Sequence, residues 1–259
     1  MKTIGKSKLL NIPAQGGIPV EQTNGKIRKS KPIPVKNYLD LADKIAELQY
    51  LNPEYVLVFR GQSADHIDPN GMTSIRPGIF RGRDSTVVTS PIEARFGKLR
   101  RAEELLIERW QQAPVAGNVE IKRYRILRWA ILQHYEICET PLLDVTYSLR
   151  VAASFASLHN DHHGYVFALG IPNISGTVTT DMEAGLQTVR LSSVCPPQAR
   201  RPHIQEGYLL GEYPDISVYA EKQNYSSFEV DFGRRLLAKF KFDKEAFWSR
   251  NTFPQISRQ

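Results

Sequence analysis

The stretch "EYVLVFRGQSADH", residues 54–66, sets a run of apolar residues directly ahead of Arg60, Gly61 and Gln62. Valines, an aromatic and a leucine in one short run predict a strand over "YVLVFR", and the Asp, Gly and Pro that follow predict a long loop. Arg60 at the strand's end has two readings. It is either a side chain snorkelling out of a strand terminus, or a planar, permanently charged fork held rigidly for a phosphate or carboxylate. Gly61 permits a sharp turn or a close backbone approach. The stretch by itself leaves both readings open.

Upstream, Tyr38, Leu41, Ala42, Ile45 and Leu48 recur at helical spacing and predict a helix that stops before Asn52-Pro53. Residues 1–36 have little periodicity and several breakers, so they read as a mostly irregular tail ahead of one domain over 37–259. Downstream, helices are expected over 91–112, about 122–135 and about 149–159. Strands then dominate: "YVFALGI", "LQTVRLSSV", "EGYLL", "SVYA" and "LLAKFKF", with a short helix around Lys244 to Ser249. Helices first and strands later give an α+β class, with helices packed on a mixed, largely antiparallel, split β core.

The 259 residues allow a real hydrophobic core, and no window approaches the roughly 20 apolar residues of a membrane span. The N-terminal lysines lack an apolar stretch of the secretory kind, and two isolated cysteines, Cys138 and Cys195, form no disulfide or zinc framework. A cytoplasmic protein with reduced thiols is expected. The net charge of +7 is local. Residues 1–36 hold eight Lys/Arg against Glu21, and the remainder has 26 residues of each sign. Such a tail either touches phosphates or an acidic partner, or is a solvated leader.

P-loop, G-x-G-x-x-G, H-E-x-x-H, G-x-S-x-G and paired C-x-x-C patterns are absent, which removes several common mechanisms. Besides Arg60-Gly61-Gln62, two polar clusters sit at the edges of apolar elements. Gln133-His134-Tyr135 closes a helix, where a histidine gains from the dipole and a tyrosine either packs or stacks on a flat ring. Leu142-Leu143-Asp144-Val145-Thr146-Tyr147-Ser148 leads into an Ala-rich helix with Ser148 as natural N-cap. Asp144, behind two leucines, is expected to be partly buried and to need a partner.

Taken together, "VFRGQ", "SIRPGIFRG" and "LQHYEICETPLLDVTYSLRVAASFAS" strongly resemble the FRG domain, which pairs an (F/Y)RG motif with Q-H-Y, a T-R/P-L-L-D-x-T segment and an A-x-x-F-A helix. The resemblance covers about residues 37–242. Two departures stand out: Glu136 where the family usually has Gly, and a loop one residue longer at "EICETP".

FRG domains look like distant members of the ADP-ribosyltransferase fold. That resemblance implies NAD as substrate, with Arg60 on a phosphate or ribose and Gly61 and Gln62 beside it. It implies that Asp144, Thr146, Tyr147, Ser148 and Phe155 shape the nicotinamide side. Tyr135 or Tyr147 would be the aromatic platform, and His134 would stand with Tyr135 among the catalytic groups. Gln205 or Glu206 would lie over the ribose, Gln205 matching the family's Q-x-G. No metal is implied. The function implied is an NAD-dependent ADP-ribosyltransferase or NAD glycohydrolase acting as an intracellular toxin or phage-defence effector, with a neutralising antitoxin as partner. The acceptor would be RNA, DNA or protein; the tail and the cluster Arg95, Lys98, Arg100 and Arg101 favour nucleic acid. The alternative is a non-catalytic module of the same fold that binds a nucleotide or nucleic acid.

Overall fold

The computed structural model describes residues 3–4, 9–13, 17–81, 89–112, 118–158, 162–195, 200–215 and 230–248. In chain order these begin with β1 (Leu9–Asn11), β2 (Val20–Gln22), α1 (Asn24–Lys29), β3 (Ile33–Val35), α2 (Tyr38–Leu51) and β4 (Val56–Gln62). Next come α3 (Thr89–Gln112), α4 (Asn118–Arg123), α5 (Arg125–His134), β5 (Leu143–Thr146), α6 (Leu149–Ala156) and β6 (His163–Ile171). The rest are β7 (Val178–Asp181), β8 (Leu186–Arg190), α7 (Leu191–Val194), α8 (Arg200–Ile204), β9 (Gly207–Glu212), β10 (Leu236–Asp243) and α9 (Lys244–Phe247). The class is α+β. No helix among the described residues is long and apolar enough to cross a membrane.

The chain divides into two units. The first comprises Thr3–Ser74, Thr146–Pro172 and the residues from Gly233 on; the second comprises Ile75–Val145 and Asn173–Phe232.

In the first unit the strands run in the order β3-β10-β6-β4. β3 is parallel to β10 and the other pairs are antiparallel, so the sheet is mixed. Its middle strand β6 is buried over almost its whole length, in keeping with its continuous apolar run. Helix α2 starts where the Asn37 side chain accepts from the Asp40 N–H at 2.9 Å. It ends at the fully buried Asn52, whose amide clamps the Leu10 N–H and C=O at 3.1 and 2.9 Å. Helix α6 starts at Ser148, whose hydroxyl accepts from the Val151 N–H. Its Ala152, Ala153 and Ala156 are fully buried.

Those alanines explain Gly61. A Cβ at position 61 would overlap the Ala152 carbonyl oxygen and lie 2.7 Å from the Ala156 nitrogen. Helix and strand backbones therefore touch directly, with no side chain between them.

In the second unit the strand order is β5-β9-β8-β7. Its core gathers Ile79, Phe80, Phe96, Leu99, Trp129 and Val189. The buried Glu103 of α3 accepts from Arg128 at 2.9 Å and Arg125 at 3.1 Å, tying α3 to α5.

Several sequence expectations change. The stretch read as a mostly irregular tail carries α1 and β3, and Asn24, Ile27, Arg28, Ile33 and Val35 are buried. Their structure comes from partners distant in sequence, which a local pattern does not reveal. Asn24, for example, donates to Gly233 and Leu236 carbonyls. "LQTVRLSSV" is a strand only to Arg190 and then turns into the short helix α7. The helix expected over 122–135 is two, interrupted at Tyr124. "SVYA" lies outside the described residues.

Gly61→Ala should destabilise the protein by about 3 kcal/mol or more, because helix backbone cannot yield as a side chain does. The control is Gly97→Ala in α3, where nothing lies within 4 Å; it should be neutral or stabilise by about 1 kcal/mol through helix propensity. Denaturant melts of the two variants measure both.

Candidate functional site

Side chains alternate along β4, so Gly61 facing α6 sends Arg60 and Gln62 to the opposite face. Arg60 is opposite Phe167 on β6, which is in turn opposite Lys239 on β10; Gln62, Tyr165 and Lys241 form the adjacent row. One face of the sheet thus carries Arg60, Lys239 and Lys241, with the Lys241 ammonium 5.9 Å from the centre of the Tyr165 ring. Arg60 and Gln62 are half-buried, and the Gln62 Oε1 has no hydrogen-bond partner among the described residues.

The loop after Gln62 is pinned to this face. Lys239 is almost wholly buried and donates to Asp65 Oδ2 at 2.9 Å, Thr73 Oγ1 at 2.6 Å and the Arg28 carbonyl at 3.1 Å. Arg28, also buried, donates to the Thr73 carbonyl at 2.8 Å and lies 3.8 Å from Asp68. Asp68 Oδ1 accepts from the Asn70 and Met72 N–H groups, shaping the turn itself. A buried, hydrogen-bonded ion pair is a strict geometric constraint, since either partner alone would be a stranded charge. Lys239 reads in the sequence as an ordinary polar position of an alternating strand, and nothing local marks it as buried.

Phe59 is paired with Thr146 across β4 and β5. The Thr146 hydroxyl accepts from the Ser148 N–H at 3.0 Å, and Ser148 caps α6. T-x-S is therefore a stiff turn, and both hydroxyls are engaged in building it. The residue it displays is Tyr147, about half exposed. Phe155, on the outer face of α6, is 38% exposed and belongs to the same unit. Of the two uses the bare sequence allowed Gly61, a sharp turn or a close backbone approach, the structure shows the second: it admits α6.

The remaining sequence-derived residues belong to the second unit. His134 ends α5 and its ring meets Tyr135 edge-on at 5.1 Å between centroids. The His134 pKa lies below its ordinary value because burial, and then the Arg201 guanidinium, disfavour the imidazolium. Tyr135 is half exposed. Glu136, where the family usually carries glycine, adopts φ 56°, a left-handed conformation that glycine takes without steric cost. Its carboxylate pairs with Arg201 at 3.0 Å.

Asp144 is exposed, not partly buried as expected. β5 turns its Leu143 and Val145 inward and Asp144 outward, where Gln133 Nε2 donates to it at 2.8 Å. Gln133 in turn accepts from Thr140. Gln205 and Glu206 form the turn between α8 and β9, half-buried and exposed respectively, and Glu206 has φ 45°.

A cavity of about 270 Å³ is lined by His134, Tyr135, Glu136, Arg200 and Arg201. A wider one of about 940 Å³ lies along α4, α5 and β7, bordered by Tyr124, Leu127, Val178 and Tyr213, and none of the sequence-derived residues lines it. Of the basic cluster, Arg95 is occupied internally: it donates to the Ile79 and Arg81 carbonyls and pairs with Glu139. Arg101 pairs with Glu104. Among the described residues no group of three or more His, Cys, Asp or Glu is placed to hold a metal ion. The Cys195 thiol, buried, is pushed up to about 11 and is unreactive as a nucleophile at neutral pH.

Residues 56–164 match the model of one protein family, the FRG domain. The match begins with β4 and ends within β6, so it contains Arg60-Gly61, Gln133-His134-Tyr135, the T-x-S turn and α6, and leaves Gln205 and Glu206 outside. This segment is an FRG domain. No curated protein and no solved structure matches the chain significantly.

Asp65→Ala strands the buried Lys239 ammonium and should cost about 3–5 kcal/mol, whereas Lys239→Met with Asp65→Leu together should recover most of it; chemical denaturation of single and double variants tests this. The His134 imidazole, followed by NMR, should titrate below pH 6.5, and Arg201→Gln should raise its midpoint. Because the unfolded chain takes up this proton first, the His134 contribution is complete above pH 6.5 and declines as pH falls through the window below it.

Proposed function

We propose that the chain is an NAD-dependent ADP-ribosyltransferase, with NAD hydrolysis as its acceptor-free reaction. One observation carries the reading. Arg60 and the turn Thr146-Tyr147-Ser148, 86 residues apart in sequence, adjoin within one unit, because Phe59 pairs with Thr146 and α6 rests on Gly61. The fold of the ADP-ribosyltransferases, to which FRG domains bear a distant resemblance, joins a strand-end arginine to such a turn.

In this reading Arg60 binds the pyrophosphate, for which a permanently charged bidentate fork is suited. Tyr147, displayed by the T-x-S turn, stacks on the nicotinamide ring. Gln62, with its buried carbonyl oxygen, orients the ribose hydroxyls. The glycosidic C1′–N bond breaks with its electron pair leaving on nicotinamide, so positive charge develops on the ribose. The acceptor's oxygen or nitrogen, or water, then bonds to C1′ and releases its proton. The toxin or defence role, and an antitoxin partner, follow from the same reading.

A second reading, a binding module without catalysis, is favoured by one feature: the turn before β9 reads Gln205-Glu206-Gly207 and lacks an E-x-E pattern.

The test is incubation with NAD and with RNA, DNA and protein acceptors. Released nicotinamide and an ADP-ribose mass addition are expected, and Arg60→Ala should lower nicotinamide release at least 100-fold while the variant stays folded. Wild-type turnover in that variant would remove Arg60 from the site. NAD binding without nicotinamide release would favour the module.

A further inference from the structure

The cavity at the end of α5 is small and open to solvent. Its 270 Å³ falls below the roughly 300–1,000 Å³ of pockets that enclose drug-sized ligands, and it has room for a phosphate group with its immediate substituents. Its lining is chemically specific. Arg200 and Arg201, adjacent at the start of α8, face His134 and Tyr135 from the end of α5. One N–H of Arg201 donates to Glu136 Oε1 at 3.0 Å in an exposed ion pair, with the guanidinium at the edge of the cavity. With the imidazole neutral, the lining carries two positive charges and one negative, a net attraction for an anion.

Beside these cations the Tyr135 ring is about half exposed and is buttressed edge-on by His134. A cationic notch next to an exposed aromatic face matches single-stranded nucleic acid, whose phosphate needs charge-assisted donors and whose base needs a flat platform. We propose that this cavity binds a terminal phosphate of a single-stranded nucleic acid, with Arg200 and Arg201 on the phosphate and the end base stacked on Tyr135. The inference stands on the cavity alone. Joined to the proposed reaction, it names the acceptor class.

The experiment uses the whole protein and fluorescent RNA hexamers with and without a 5′- or 3′-phosphate. One terminally phosphorylated form should bind about tenfold tighter than its unphosphorylated counterpart, the range of a charge-assisted hydrogen bond. Arg200→Gln with Arg201→Gln should abolish that preference and flatten the salt dependence by about 0.7 in log–log slope for each phosphate no longer neutralised. Tyr135→Leu should weaken both forms alike. Melting behaviour and acceptor-free nicotinamide release should be unchanged in the arginine variant, so loss of end recognition is distinguishable from failure of the NAD reading. Equal binding of phosphorylated and unphosphorylated strands would overturn the proposal, as would a preference retained in the arginine variant. Inorganic phosphate binding as tightly as the phosphorylated strand would overturn strand recognition and leave a simple phosphate site. A phosphoserine peptide binding equally well would overturn the nucleic-acid assignment.

Discussion

The carbonyl oxygen of Ala152 lies where a side chain at position 61 would begin, so helix α6 can rest on β4 only if that position is glycine. The contact needs small residues on both sides. Ala152, Ala153 and Ala156 supply them on the helix, each fully buried, and the Ser148 cap fixes where the helix starts. With α6 so placed, the turn Thr146-Tyr147-Ser148 follows β4 at a fixed distance, and Phe59 opposite Thr146 locks the register. The glycine and the arginine of one motif thereby take different tasks on opposite faces of one strand.

The face that carries Arg60 is set by a second constraint, the buried pair Lys239–Asp65. It holds the segment that follows Gln62 against β10, and Thr73, Arg28 and Asp68 complete the arrangement. An apolar contact would tolerate sliding; an ion pair desolvated on both sides does not, because each partner's solvation loss is offset only by the other. Two of the chain's cations, Arg28 and Lys239, thus belong to the interior, each beside a carboxylate that is buried with it.

Much of this was legible. Local signals identified α2, β4, α3, α6 and its cap, β6 and β10, since each has a clean apolar period and a recognisable start or stop. The motif segments were legible as well, though their geometry was not. Nothing in "VFRGQ" says which face its glycine serves, because the neighbour that decides it is 91 residues away at Ala152. Strand β3 pairs with β10 from the far end of the chain, so a short "IPV" beside lysines gave no local sign of a sheet edge. Asp144 was misread because two preceding leucines imply burial only if the strand's pleat is ignored. Arg200 and Arg201 carry no motif that singles them out in the sequence. Their partner cluster, His134 to Glu136, lies some 65 residues earlier, and neither half has meaning alone.

Calorimetric titration of NAD into the wild-type protein and into Arg60→Ala, with a melt of each, tests the division of labour in the Arg60-Gly61 motif most directly. The account predicts that Arg60→Ala melts within about 1 kcal/mol of wild type, as expected for a change away from the core contact, and binds NAD at least tenfold more weakly. Unchanged NAD affinity in a folded Arg60→Ala protein would contradict it, and so would an Arg60→Ala protein that no longer folds.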